Sequence, residues 1–302
     1  MNLSPKQWVV LTALISGVAV YYNSTAVRGV DATSFAMAKN LLATVALLGI
    51  AAIGTQLKQF QSFSRQQWLQ LLAIAVIGGS IPFALFFGGL SMAANGAGAS
   101  FIYRLLFIFS AILALAFLRE KPNWKTAGGV GLILLANLLL LLNFKSFAIG
   151  TGELMVLAAT LMWSAENILL KKALNWITPD ALAAARLGIG GMILLAAMAV
   201  IAPASVASVA ALPLLPLILS ALLILGFTMT YYRGLAGTSV SEATAILTLG
   251  GLVSALLPIL LNNRLPGVIE GLSLALIGLG VAIILATASK RAASDGMSPC
   301  KA

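Results

Sequence analysis

Four ionisable side chains stand well inside apolar stretches of this sequence: Lys39, Arg104, Glu166 and Arg186. An ionisable group at the centre of a bilayer-spanning helix costs about 2.5–3.5 kcal/mol on insertion scales, so each needs a partner or a task. Glu166 and Arg186 have opposite sign and suit an ion pair. Such a pair is either a static one that fixes helix packing or a switchable one that opens when a substrate or a proton arrives. Glu166 is the one acid deep in an apolar run, which makes it the candidate for proton coupling, since a desolvated carboxyl can exchange protons near neutral pH. Trp163, Glu166, Asn167 and Leu170 fall on one face at helical spacing, an aromatic wall beside two polar groups. Lys39 and Arg104 have no acid inside their own runs, and Asp31 and Glu153 near the outer ends are the nearest candidates to pair with them. Left unpaired, the two cations make a basic pocket for a carboxylate or phosphate. Asn40 and Tyr103 would add hydrogen bonds there, and arginine's planar fork favours a carboxylate. The expected substrate-binding set is therefore Lys39, Asn40, Tyr103, Arg104, Trp163, Glu166, Asn167 and Arg186.

Other chemistries find few residues. The chain has no histidine, which removes the commonest general base and metal ligand, and a single cysteine, Cys300, so no internal disulfide or thiolate metal site can form. No cofactor, metal or catalytic group is expected, and no Walker A motif is present to bind a nucleotide.

The elements that must position these groups are long and apolar. Of 302 residues, 61% are hydrophobic and 9% charged, far below the roughly 25% charged of a soluble domain. Apolar runs lie near 8–26, 33–55, 68–90, 97–118, 124–142, 152–170, 180–202, 214–235, 240–262 and 267–288. Each matches the ~20 helical residues that cross a hydrocarbon core of about 30 Å. The pair 97–118 and 124–142 is parted only by the knot Arg119-Glu120-Lys121-Pro122-Asn123, which cannot lie in lipid and cannot continue a helix. The reading is an all-α membrane protein of ten transmembrane helices, the first retained as a span and not a cleaved leader. Pro203–Pro216 is expected as a loop or interfacial helix, and 289–302 as a polar, disordered cytoplasmic tail.

The net charge of +10 is not a nucleic-acid signature, because the cations sit in the short gaps between runs. With the N-terminus inside, Lys6, Lys58, Arg65, Arg119, Lys121, Lys125, Lys171, Lys172, Arg233, Lys290, Arg291 and Lys301 collect on the inner side, against Arg28, Lys145 and Arg264 outside. That bias places both termini in the cytoplasm and the chain in the cell (inner) membrane. On this topology Lys39 and Arg104 lie about two turns below the outer surface, and Glu166 and Arg186 lie in the inner half.

The chain repeats itself. Phe86-Phe87-Gly88-Gly89-Leu90 ends the third run and Tyr231-Tyr232-Arg233-Gly234-Leu235 the eighth; a small-residue stretch, an apolar run, a polar break and a glycine-bearing run follow each. Lys39 in the second run answers Arg186 in the seventh. Two halves of five spans result, over 8–142 and 152–288. Five being odd, the halves insert upside down relative to one another, the arrangement of alternating-access carriers with a site near the midplane. Small residues at Gly188, Gly190 and Gly191, Gly128 to Gly131, and Gly267 with Gly271 are expected to let helices approach closely. Tyr231 and Tyr232 are expected as anchors at the membrane interface.

These features resemble the EamA domains of the drug/metabolite transporter superfamily. The motifs that carry the likeness are Arg119-Glu120 leading to Gly128, Gly129 and Gly131, Trp163 followed by Lys171-Lys172, and the Pro179 to Arg186 spacing. The sequence departs from the family pattern where Asn263 takes the second glutamate position and where the first tryptophan position falls near Ser16. The resemblance implies a ten-helix carrier, often an exporter, for a small anionic or zwitterionic metabolite such as an amino acid. Its partners would be that substrate, the lipid bilayer, and protons or a counter-substrate. A passive channel or facilitator is the alternative, and a membrane-embedded enzyme a more distant one.

Overall fold

The computed structural model describes residues 3–27, 29–53, 56–93, 101–120, 124–142, 149–261 and 265–294. Among them the regular structure is entirely helical. The main helices are α1 (Pro5–Ala26), α2 (Ala32–Ile53), α3 (Arg65–Ile74 and Ile81–Met92, joined by a π-helical turn at Ala75–Ser80), α4 (Phe101–Leu118) and α5 (Trp124–Leu142). Then come α6 (Thr151–Ala173), α7 (Pro179–Ile201), α8 (Leu214–Gly237), α9 (Val240–Leu261) and α10 (Val268–Ser294). Among the described residues, eight helices are long and apolar enough to cross a membrane: α2, α3, α4, and α6 to α10. The apolar part of α5, Trp124–Leu139, is shorter.

Local chemistry sets the boundaries. Ser4 and Gln7 close a capping box at the start of α1, with Pro5 in the first turn, and Ser64 with Gln67 does the same for α3. Pro179 and Asp180 open α7, where a fixed φ and a negative charge both suit a helix N-terminus. Pro203–Ala207 forms a short helix, as the sequence suggests. The polar segment beginning at Ser289 starts as a continuation of α10, which runs to Ser294. The loop holding Lys121, Pro122 and Asn123, the positions Asn262 to Arg264, Arg28, Lys145 and the end of the chain lie outside the described residues.

The packing reads the same when the two halves are exchanged. Helix α1 lies against α8 and α9, as α6 lies against α3 and α4; α2 also meets α8, as α7 meets α3. Helices α2 and α7, α4 and α9, and α5 and α10 pair across the halves. The close approaches correspond too. A Cβ on Gly89 would meet the Gly152 carbonyl at 2.7 Å and Val156, and one on Gly234 would meet the Pro5 carbonyl at 3.0 Å and Val9. Gly129 and Gly280 face each other where α5 crosses α10, and Gly79 and Gly190 where α3 crosses α7. The glycine expectation therefore holds at Gly129 and Gly190. It does not at Gly128, Gly131, Gly267 or Gly271, where a Cβ would meet nothing within 4 Å. Even the helix breaks agree: Leu105 N–H donates to the Ile102 carbonyl in α4, and Thr248 N–H to the Ala245 carbonyl in α9, one tightened turn in each fourth helix.

Candidate functional site

The π-helical turn of α3 is the pivot of the site. Widening one turn leaves main-chain carbonyls without the usual helical donor. The Gly78 carbonyl there accepts from Trp163 Nε1 at 3.0 Å and from Arg186 Nη2 at 2.9 Å. A glycine is required at this point, because a Cβ would fall on the Glu166 carboxylate. Two residues of the sequence-derived set, from α6 and α7, are thus held by one carbonyl of α3.

Glu166 and Arg186 form the ion pair their signs suggest. Arg186 Nε donates to Oε1 at 2.6 Å and Nη2 to Oε2 at 3.0 Å, a bidentate contact with a carboxylate that is 3% exposed. The Arg186 guanidinium also lies 5.8 Å from the centre of the Phe83 ring, within cation–π range. Nη1 makes no hydrogen bond among the described residues and is the donor left for another molecule.

An aromatic wall borders the pair. Trp163 packs on Phe83 and Phe86 with centroids 5.4 Å away in both cases, and on Tyr103 at 5.6 Å; Phe86 and Tyr103 are 5.2 Å apart. Tyr103, at the α4 edge of the wall, keeps 40% of its surface exposed. On the other flank Asn167 Nδ2 donates to Ser110 Oγ at 3.1 Å, and Asn167 Oδ1 accepts from Tyr231 Oη at 2.8 Å. Trp163, Glu166 and Asn167 therefore address three different helices from one face of α6, as their spacing requires.

Two tyrosines enter the site that the sequence placed elsewhere. Tyr231 and Tyr232 are 4% and 2% exposed and lie in the protein interior, not at an interface. Their place near the end of an apolar run hides this, because α8 ends in an elbow tucked under α6 and α4. The one available signal was the alignment with Phe86-Phe87, which line the wall in the first half. The Tyr232 hydroxyl has no partner among the described residues.

Three residues of the expected set stand apart. Neither Lys39 nor Arg104 has an ion pair or hydrogen bond among the described residues. Asn40 is 2% exposed with both amide atoms unbonded. Asp31 does not reach Lys39; it accepts from Thr33 N–H and the Ser34 hydroxyl at the start of α2. Glu153 accepts from Gly150 N–H, closing the first turn of α6. Arg104 follows Tyr103 at the α4 edge of the wall.

Below the site, charged side chains tie one end of the bundle together around the α8–α9 elbow. Lys171 Nζ donates to the carbonyls of Leu235 (2.7 Å), Ala236 (3.1 Å) and Thr238 (2.6 Å), where α8 ends. Glu120 accepts from the N–H groups of Val240 (2.7 Å) and Ser241 (3.1 Å) and from the Ser241 hydroxyl (2.6 Å), where α9 starts. A cation thus sits on a helix C-terminus and an anion on an N-terminus, the favourable sense for both dipoles. Arg233–Asp180 (2.9 Å) and Lys6–Glu242 (3.1 Å) complete the ring. At the other end of the bundle, among the described residues, Ser34 meets Ser208, Asn23 meets Ser220, and the Asp31 carboxylate accepts from the Ser34 hydroxyl.

The sequence pattern of the EamA-like transporter family matches residues 5–142 and again 150–286. Chains of solved structures also match, 29 in all; one, described only as the crystal structure of a protein, has a TM-score of 0.71 at 16% identity over 93% of this chain and 96% of that chain. At that identity the likeness is one of fold. No curated protein matches the sequence.

Proposed function

This chain belongs to the EamA-like transporter family, and from that premise we propose that it is a secondary transporter that moves a small metabolite by alternating access around the Glu166–Arg186 pair. The observation that carries the reading is that pair itself. It is bidentate and buried, it is anchored to the opposite half through Gly78, and it is flanked by aromatic rings and one unused guanidinium donor. A static pair needs no half-exposed ring beside it, and a buried pair left half-satisfied is costly to keep.

On this reading ten helices cross the membrane, α1 and α5 joining the eight longer apolar ones. The halves 8–142 and 152–288 are inverted repeats, which the exchange symmetry of the helix pairings supports. Both termini face the cytoplasm, supported by the placement of Lys and Arg between runs. The charged ring at the α8–α9 elbow then seals the cytoplasmic end, and the half-exposed Tyr103 marks the side from which substrate reaches the site. Trp163, Tyr103, Asn167 and Arg186 bind the substrate, and Arg104 draws it in at the mouth. Protonation of Glu166 releases Arg186 and allows the halves to rock. The substrate is an amino acid or related anionic or zwitterionic compound, and the direction is export. These last two points rest on the family resemblance.

The test is transport by the purified protein in liposomes against a panel of amino acids and short carboxylates. A carrier gives saturable flux that speeds up when the same compound is loaded on the far side. Flux linear in concentration and indifferent to the far side would make the protein a channel. If Glu166→Gln transports with an unchanged pH dependence, proton coupling at this carboxylate is refuted.

A further inference from the structure

The correspondence of the two halves gives Lys39 a specific neighbourhood. Close contacts at Gly89 and Gly234 and the matching breaks in α4 and α9 register the first half on the second, and in that register Lys39 answers Arg186. The acceptors of Arg186 have no equivalent there. The position of Glu166 is occupied by Ala19, and that of Gly78 by Leu223, which lies in a regular α-helix with no π-turn. This explains why Lys39 has no partner among the described residues. Next to it, Asn40 answers the apolar Leu187 and is 2% exposed, yet neither its Oδ1 nor its Nδ2 is bonded. Its main-chain carbonyl accepts from the Thr44 hydroxyl at 2.8 Å. Buried amides are normally satisfied, and a lone cation in a span is rarer still. The two side chains leave α2 about 100° apart, so one ligand reaches both where the long Lys39 side chain turns toward Asn40.

We propose that Lys39 and Asn40 form a second substrate subsite on α2, one that takes an oxyanion carrying a hydrogen-bond donor beside it, as in 2-hydroxy or 2-amino carboxylates. This rests on the transporter reading and extends it. Arg186 is already neutralised by Glu166, so the uncompensated positive charge of the interior is that of Lys39 and of Arg104 near the mouth. The ammonium receives the anionic oxygen. The Asn40 amide can then both donate to the oxyanion and accept from the neighbouring hydroxyl or ammonium, which uses the two atoms now idle. A simple carboxylate would leave the amide oxygen unbonded. Selectivity for a donor next to the anion follows from that cost.

The probe is glycolate, with acetate as the analogue lacking the hydroxyl, each titrated at constant ionic strength against the purified full-length protein and followed by thermal unfolding. Wild type should give saturable stabilisation by glycolate, with an apparent Kd at least fivefold below that of acetate. Lys39→Gln should weaken glycolate at least tenfold, while Lys39→Arg, which keeps the charge, should retain most of the affinity. Asn40→Leu, which installs the residue found at the equivalent place in α7, should bind glycolate and acetate alike. Equal affinity of Lys39→Gln and wild type for glycolate would overturn the subsite, as would an absence of saturable stabilisation of wild type or a preference for glycolate that survives Asn40→Leu. Flux measured beside binding separates this proposal from the one it rests on. Binding without flux in liposomes would reject the transporter and keep the subsite, and flux with wild-type binding by Lys39→Gln would do the reverse.

Discussion

Removing one partner of the Glu166–Arg186 pair should be far more harmful than removing both. Arg186 makes three charge-assisted bonds, two to Glu166 (2.6 and 3.0 Å) and one to the Gly78 carbonyl (2.9 Å). With Glu166→Leu the guanidinium keeps only the carbonyl and remains buried as an unpaired cation. With Arg186→Met the carboxylate, 3% exposed, loses every cationic neighbour it bonds. Breaking a buried pair from one side costs about 3–5 kcal/mol, whereas replacing both members with apolar groups of similar size is commonly near neutral. Each single substitution should therefore lower the folded-to-unfolded ratio by roughly two to four powers of ten. The double substitution should recover to within about 1 kcal/mol of wild type, because the aromatic neighbours Phe83 and Trp163 pack readily against Leu and Met. The assay is equilibrium unfolding of the four proteins in mixed micelles as a double-mutant cycle, with transport measured in parallel. Stability should return in the double variant and transport should not. Single variants that each cost less than about 1 kcal/mol would mean the pair is solvated and the proposed site is not there. A double variant as unstable as the sum of the singles would mean these side chains act through packing alone.

Gly78→Ala places a methyl on the Glu166 carboxylate and should cost about 1–3 kcal/mol with loss of transport, while Gly128→Ala, whose Cβ meets nothing within 4 Å, should change neither by more than about 0.5 kcal/mol in the same unfolding assay. Tyr231→Phe leaves the Asn167 carbonyl without its 2.8 Å donor and should cost about 1–3 kcal/mol, and an unchanged unfolding midpoint would remove Tyr231 from the network. Gly280→Ala should destabilise by about 1–3 kcal/mol, since its Cβ would meet the Gly129 carbonyl at 2.7 Å and force α5 from α10. Glu120→Gln combined with Lys171→Met should open the elbow end, measured as at least tenfold faster maleimide labelling of a cysteine placed at Ser110 in a Cys300→Ser background; unchanged labelling would mean the charged ring does not hold that end shut.

The Glu166–Arg186 pair was more legible in the sequence than the packing around it. Glu166 and Arg186 could be paired on paper because they are the only opposite charges deep in neighbouring runs, and the three-and-four spacing put Trp163 and Asn167 on the same face. What stayed hidden was the partner of that face. The π-turn at Ala75–Ser80 is decided by tertiary contact: Gly78 and Gly79 permit it, but an apolar run with two glycines reads the same whether its turns have 3.6 residues or more. Tyr231 and Tyr232 were misread for a related reason. Position along a run gives depth only if the helix end lies at the surface, and the end of α8 is drawn inward by Lys171. The glycines were read correctly as a class and wrongly one by one, because the faces of α5 and α10 that meet are fixed by register across the halves, which Gly267 and Gly271 do not share.

The departures of this chain from its own repeat have a mechanical meaning. Trp163 and Lys171, on one helix, grip the Gly78 carbonyl and the α8–α9 elbow respectively, and Glu120 grips the same elbow from α4. In the first half the equivalents of Trp163 and Lys171 fall near Ser16 and at Ser24, and Asn263 stands for the second glutamate. None of these residue types carries a charge. Among the described residues, one end of the protein is therefore tied by charge-assisted hydrogen bonds that reach from one helix to the terminus of another, while at the other end helices meet through Ser34 with Ser208 and Asn23 with Ser220. Hydrogen bonds that include a charge are roughly twice as strong as neutral ones. On the alternating-access reading proposed above, a carrier with equal repeats has no built-in preference between its two states, and this difference biases the chain toward the state closed at the charged elbow. On that same reading, the bias makes opening that elbow the step that binding energy must drive, through Arg186 and Glu166 on the two helices that flank α8.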